Sequence, residues 1–296
     1  MLLPRFALHA AASVADAVEL LVRHGEEATI YAGGTELLLA MKHRIVRYSH
    51  LIDIKRVPGL TDVALVGDRS LVIGALATHY VLERHPLLRR HLAAYAAFSR
   101  TIANIRVRIA GTLGGNLCFA EPHADPPALL AALGARVELV GPAGAREVAV
   151  ADFVVGAFDT LRQPDEVLTR VAVPLDGAGR RRVAYERFGH RERPTIGVAA
   201  VLTLSADGHA IATADVWVGS VGPRPSRVAA VAGALAGVPA EALGDVLPAA
   251  ALRGADDVPV DGDAHGSEDY KRHLVRVFVE RAVRRAAEPR EGRHTA

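Results

Sequence analysis

The sequence predicts an α+β chain in two domains: a larger first domain in which short strands alternate unevenly with helices, and a smaller second one built on an antiparallel sheet with helices. Three observations point there. At 296 residues the chain is long for one simple domain and short for three. Its apolar residues, half of the total, fall in short runs bounded by Gly, Pro and charged residues, the pattern of many small elements around a core. Past Pro174 the pattern changes to successive strands, two of them joined by Asp207-Gly208, a hairpin turn pair.

The elements follow in order. Ser13 is placed to cap a helix running to about His24, with Asp16 three residues on, Val14, Val18, Leu21 and Val22 on one face, and Gly25 as the stop. Ala28 to Ala32 is a short strand, Gly33-Gly34 breaks it, and Thr35 opens a second helix through Leu37, Leu38 and Met41. Strands are expected at Leu51 to Ile54 and Leu71 to Leu76, with Val57 to Ser70 as turns between them. Thr78 caps a helix to Arg84, and Leu87 to Ile105 is helical. Gly111, Gly114 and Gly115 are too dense for an ordinary helix. Asp125 before Pro126-Pro127 is expected to cap a helix ending near Gly134. Strands Arg136 to Val140 and Val167 to Val173 close the first domain, and the boundary is placed in Leu175 to Arg182. Strands Val183 to Phe188, Val198 to Leu204 and Ile211 to Val218 then lead to two helices, a short one after Pro225-Ser226 and a long one after Ser267.

Composition removes several function classes. No apolar run approaches the roughly 18 residues of a membrane span, and the first residues lack a secretory pattern, so a cytoplasmic protein is expected. A net charge of +2, with Arg interleaved among Asp and Glu, argues against nucleic acid as a partner. The single cysteine, Cys118, precludes a self-contained iron–sulfur cluster or Cys-rich zinc site, so metal chemistry falls to partners. Cys118 is expected to be a small buried residue with no nucleophilic role. None of the 13 histidines forms a close ligand pair in sequence; His79, His85, His91 and His123 are expected at the surface or in loops. Arg180 to Arg193, mixed with Glu186 and Glu192, is expected to be a solvated or partner-facing surface.

Two glycine loops carry the chemistry. Gly33-Gly34 sits where a strand hands over to a helix, where unpaired N–H groups can bind a phosphate; a plain tight turn is the competing reading. Gly111-Thr112-Leu113-Gly114-Gly115-Asn116 could form an anion-binding nest. Neither loop matches a Walker A pattern or the three-glycine dinucleotide fingerprint. Glu121 and Asp125 flank a Pro-His loop and need not be a catalytic pair.

YAGGTELLLAM (Tyr31 to Met41) and IAGTLGGNLCFAEPHA (Ile109 to Ala124), followed by Asp125, resemble the two flavin-binding signatures of the FAD-binding medium subunit of the xanthine dehydrogenase and carbon monoxide dehydrogenase family. The resemblance runs on through Leu51 to Ile54, Ile73 to Ala75, Asp152-Phe153 and the Tyr185 region to Gly219 to Arg224, covering nearly the whole chain. It implies a PCMH-type FAD-binding domain of two α/β subdomains at residues 1–175, a smaller α+β domain at 176–288 and a polar tail at 289–296.

For the cofactor, the resemblance implies FAD lined by Ile30, Tyr31, Ala32, Gly33, Gly34, Thr35, Glu36 and Leu37, and since no His or Cys is placed for a covalent flavin link, non-covalent binding is expected. It places Thr112, Gly114, Gly115 and Asn116 on the opposite side of the pyrophosphate, and Asp125 in a hydrogen bond to the cofactor. Ile102 and Leu168 match positions that pack near FAD, with plain core as the competing reading. Glu186 departs from a position that is often basic, which puts flavin tuning by a cation there in doubt. No catalytic side chain and no metal ligand is assigned. The implied partners are a large molybdenum-cofactor subunit and a small [2Fe-2S] subunit, in a dimer of heterotrimers that passes electrons to NAD⁺, oxygen or another acceptor. A stand-alone flavin oxidoreductase of the same fold superfamily and a non-redox nucleotide-binding scaffold remain as alternatives.

Overall fold

A computed structural model of the chain describes residues 2–176, 180–190 and 192–288. The polar tail and the 177–179 stretch of the expected linker lie outside them.

The first layer is a three-stranded parallel sheet. Strand β1 (Ala7–Ala10) leads to α1 (Val14–His24), then β2 (Ala28–Tyr31), α2 (Leu37–Lys42) and β3 (His50–Asp53), with β3 pairing between β1 and β2. Helix α1 starts and stops where its sequence says: Ser13 Oγ accepts from Asp16 N at 3.0 Å, Asp16 Oδ2 accepts from Ala12 N at 2.8 Å, and Gly25 terminates the helix at φ +53°. Its apolar stripe, Ala17, Val18, Leu20 and Leu21, packs on Ile52 of the sheet.

The second layer is antiparallel. It comprises β4 (Val63–Val66), β5 (Ser70–Gly74), β6 (Arg136–Gly141), β7 (Gly144–Ala149) and β10 (Val167–Pro174), in the order β4-β5-β10-β6-β7. Between β5 and β6 run six short helices: α3 (His79–Leu82), α4 (Pro86–His91), α5 (Ala93–Ser99), α6 (Ile105–Ala110), α7 (Leu113–Phe119) and α8 (Pro126–Ala132). Helix α9 (Val150–Phe153) and the pair β8 (Val154–Gly156) and β9 (Asp159–Thr160) complete the layer. Thr78 caps α3 through Val81 N, as expected.

Three sequence expectations change here. The turn-rich 57–70 segment contains the edge strand β4, whose alternate residues Val63 and Leu65 pack on the core. The predicted single helix from Leu87 to Ile105 is broken into α4 and α5, and Ile105 begins α6. Gly114 and Gly115 lie inside the first turn of α7, so the glycine-dense stretch is partly helical after all.

The third layer is the antiparallel sheet β11 (Arg181–Gly189), β12 (Pro194–Leu204), β13 (Ile211–Gly219) and β14 (Ser226–Arg227). Three helices cover it, one more than expected: α10 (Ala229–Leu235), α11 (Leu243–Asp257) and α12 (Glu268–Ala287). One face of β12 and β13 packs on these helices through Val198, Ala200, Val216 and Val218. The other face joins the core of the first domain through Ala199, Val201 and Trp217. Strand alternation thus docks the second domain directly onto the helices that follow the second glycine loop. Among the described residues, no helix is long and apolar enough to cross a membrane.

Candidate functional site

The two glycine loops meet. A Cβ at Gly33 would lie 1.9 Å from the Ala110 carbonyl oxygen, one at Gly111 would lie 3.7 Å from Thr35 Oγ1, and one at Gly115 would reach Ala32 Cβ at 3.9 Å. Glycine at 33 is therefore a close-approach device that lets one loop's backbone rest on the other's. Gly34 takes φ +72°, a left-handed turn that aims the chain into α2, with Tyr31's ring against it and Lys55 Nζ 3.6 Å over that ring.

The loops offer different chemistry. Among the described residues the backbone N–H groups of Gly33, Gly34, Thr35 and Glu36 meet no protein acceptor, and the first local bond is Leu38 N to Gly34 O at 3.1 Å. A run of free donors on consecutive residues suits an anion. In the second loop most of the backbone donors are spent. Leu113 N bonds Ala77 O at 3.0 Å, Gly114 N bonds Ala75 O at 2.8 Å, and Gly115 N bonds Thr112 Oγ1 at 3.1 Å. What that loop leaves available is a side chain: Asn116 Oδ1 is buried with no partner among the described residues. A buried amide oxygen without a donor costs about 1–3 kcal/mol unless something meets it. Free donors on one side and an orphaned buried amide on the other fit a polar cofactor between the loops. Gly114 has a packing role, since a Cβ there would sit 2.6 Å from Ala75 Cβ.

Asp125 does not cap α8. Its backbone is already helical and its side chain makes no capping bond. The carboxylate is 4% exposed and faces the second domain, where Tyr185 Oη donates to Oδ1 at 2.6 Å and Arg187 meets Oδ2 at 3.0 Å. Gly197 opposite makes this possible, because a Cβ there would lie 2.0 Å from the Tyr185 hydroxyl. Burial pushes the Asp125 carboxyl up to about 6, against the pull of Arg187 and the Tyr185 bond; the same burial and the Asp125 charge hold the Tyr185 phenol well above its usual range. Arg187 also donates to the Thr101 and His190 carbonyls. Arg187 and Arg181, which binds the Pro174 and Leu133 carbonyls, are thus tied into the structure and are not part of a solvated surface. Glu186 pairs with Arg285 of α12, so the departure at 186 is answered by a local ion pair.

Of the remaining candidates, Ile102 and Leu168 are buried members of the main core. Glu36 is half-exposed, 3.9 Å from Arg193, which also approaches Glu121 at 3.6 Å. Cys118 lies partly buried on α7, and burial pushes its thiol up to about 11, which leaves it inert. His79, expected at the surface, is only 2% exposed beside Gly111, and burial brings its pKa down to about 4. His123 is also enclosed: its Nε2 lies 3.0 Å from Asp263, which in turn binds the buried Lys271 of α12 at 2.7 Å. Asp263 and Lys271 were not picked out from sequence, and Tyr185, Arg187 and His79 were named there without the buried contacts that the structure gives them. Tyr185 and Arg187 meet Asp125, and Asp263 meets His123, from far along the chain, and no local motif marks these contacts.

These loops are matched in known proteins. Residues 4–176 match the family described as FAD binding domain in molybdopterin dehydrogenase, and residues 184–286 match the CO dehydrogenase flavoprotein C-terminal domain. The chain belongs to the FAD-binding subunits of the molybdopterin dehydrogenases. It is 34% identical to the carbon monoxide dehydrogenase medium chain of Afipia carboxidovorans, over 95% of this chain and 96% of that one. It is 33% identical to the nicotine 6-hydroxylase medium subunit of Paenarthrobacter nicotinovorans, over 96% and 98%. Among solved structures, carbon monoxide dehydrogenase from Hydrogenophaga pseudoflava superposes with a TM-score of 0.90 at 34% identity, covering 95% of this chain and 97% of that one. Quinoline 2-oxidoreductase from Pseudomonas putida 86 gives 0.89 at 27%, covering 97% and 98%. This FAD-binding subunit is accordingly an oxidoreductase component of a multi-subunit molybdenum hydroxylase, with electron transfer through FAD as its work.

Proposed function

We propose that FAD is held between the two glycine loops, with its pyrophosphate on the free N–H groups of Gly33 to Glu36. The observation that carries this reading is that run of unpaired donors on one loop together with the orphaned Asn116 amide on the loop packed against it. Ile30, Tyr31, Ala32 and Leu37 would flank it from the first loop, and Thr112, Gly114 and Gly115 from the second. Asn116 would supply the hydrogen bond and the glycines the clearance. Asp125 would act at one remove, anchoring Tyr185 and Arg187 so that the second domain closes over the site. Ile102 and Leu168 would back it from the core.

When bound, FAD supplies the redox chemistry, and the chain binds it, orients it and excludes water. Cys118, the thiol beside the second loop, is held protonated by burial and offers no nucleophile. Electrons would arrive from [2Fe-2S] clusters in a small partner subunit, after substrate oxidation at molybdenum in a large one. They would leave to NAD⁺, oxygen or another acceptor, in a cytoplasmic dimer of heterotrimers. The test is anaerobic stopped-flow mixing of the FAD-loaded chain with a pre-reduced small subunit. Bleaching of the flavin absorbance within milliseconds to seconds is expected. A flavin that stays oxidised refutes the relay.

A further inference from the structure

Three histidines far apart in sequence meet on the first sheet. His9 lies on β1, His24 in the last turn of α1, and His50 opens β3. The register pairs Ala7 with His50, so His9, two residues beyond Ala7, points to the same face as His50. Helix α1 crosses that face and sets His24 on top, with its ring stacked 3.8 Å from that of His50 and 4.9 Å from that of His9. His9 Nε2 and His50 Nδ1 are 2.9 Å apart, within hydrogen-bond distance. One ring nitrogen from each residue lies within 4.8 Å of the other two, and all three side chains are partly exposed.

We propose that His9, His24 and His50 form a binding site for a late first-row divalent cation of the Zn²⁺ class. A tetrahedral ion about 2.0–2.1 Å from each imidazole nitrogen asks for nitrogens about 3.4 Å apart. The cluster brackets that separation, and turning the His24 ring out of its stack is the adjustment required. No carboxylate bonds any of the three rings among the described residues, which disfavours Mg²⁺ or Ca²⁺ and favours a metal that prefers imidazole. The charged groups nearest His24 are Arg23, which opposes a second positive charge, and Glu27, which favours it. The C-terminal end of α1, with its outward carbonyls, also favours a cation at His24. Three protein ligands leave the fourth position to water. A metal here would staple α1 to β1 and β3, the sheet whose middle strand pairs with β2 and so supports the Gly33-Gly34 turn.

The test uses the full chain loaded with FAD and Zn²⁺ as the probe, in equilibrium dialysis at neutral pH, with Co²⁺ substitution read by visible absorption. The expected result is one tightly held equivalent, a Co²⁺ spectrum of four-coordinate intensity, and at least tenfold weaker binding in both His24→Gln and His50→Gln, with FAD content unchanged. Absence of Zn²⁺ binding at micromolar concentration, or the same affinity in the two variants as in the native chain, overturns the proposal.

Discussion

Replacing Gly33 by Ala tests the contact between the loops. The added Cβ would lie 1.9 Å from the Ala110 oxygen and 2.8 Å from its carbon, where ordinary contact begins near 3.4 Å. Both atoms are backbone, so no side chain can rotate away, and the loops must part by about 1.5 Å. Overpacking of this kind costs about 1–3 kcal/mol. A displacement of that size also takes the free donors of Gly33 to Glu36 out of hydrogen-bond range of a ligand seated between the loops. Hydrogen bonds to a charged group contribute about 1.5–3 kcal/mol each, so losing even one weakens FAD by about tenfold or more. The assay is urea unfolding of the apo chain beside FAD titration by fluorescence quenching. Gly233→Ala is the control: Gly233 is exposed in α10, has no heavy atom within 4 Å of the added Cβ, and should gain about 0.5–1 kcal/mol from helix propensity with FAD affinity unchanged. Gly33→Ala with native stability and native FAD affinity would refute the reasoning.

Further outcomes follow from the same geometry. Asn116→Leu removes an unpartnered buried amide oxygen, so the apo chain should be as stable or more stable, while FAD binds about tenfold more weakly; equal FAD affinity would count against the proposed contact. Tyr185→Phe deletes the 2.6 Å bond to the buried Asp125 carboxylate and should cost about 1.5–3 kcal/mol in urea unfolding; no change would show that this link between the domains is not energetically significant. Stability should also depend on pH. His79 has a folded pKa of about 4 against 6.5 unfolded, so the unfolded chain takes up the proton first, and stability is lost as pH falls from 6.5 to 4, by about 3 kcal/mol for this residue. His123, also brought down to about 4, acts in the same direction. Asp125, raised to about 6, acts oppositely, contributing stability as pH falls from 6 towards 3.8. His79→Leu should therefore flatten the acid limb of the unfolding curve, and an unchanged limb would contradict its buried neutral state.

Much of this was legible in the residues because the signals are local. Ser13, Asp16 and Gly25 mark both ends of α1 within one helix length, and Asp207-Gly208 marks the turn between β12 and β13. Gly33-Gly34 announced a special turn, but its purpose, clearance for the Ala110 carbonyl, depends on a residue far along the chain. Asp125 misled for the same reason. Asp before Pro-Pro has the local form of a cap, yet Tyr185 and Arg187, some 60 residues on, claim its carboxylate. Strand β4 was hidden because an edge strand of four residues between glycines has the composition of turns, and α11 because Gly244, Pro248 and Gly254 interrupt its pattern and no side chain caps its start. The His9, His24 and His50 cluster has no sequence signature, since strand register and helix crossing bring it together.

The central claim is that this subunit holds FAD non-covalently between its two glycine loops. Reconstitution of the purified full chain with excess FAD, gel filtration, and acid release of the bound flavin test it most directly. The account predicts about one FAD per chain, fully released by acid, with occupancy sharply reduced in Gly33→Ala. A native chain that emerges without flavin, or flavin that stays covalently attached after acid treatment, would contradict it.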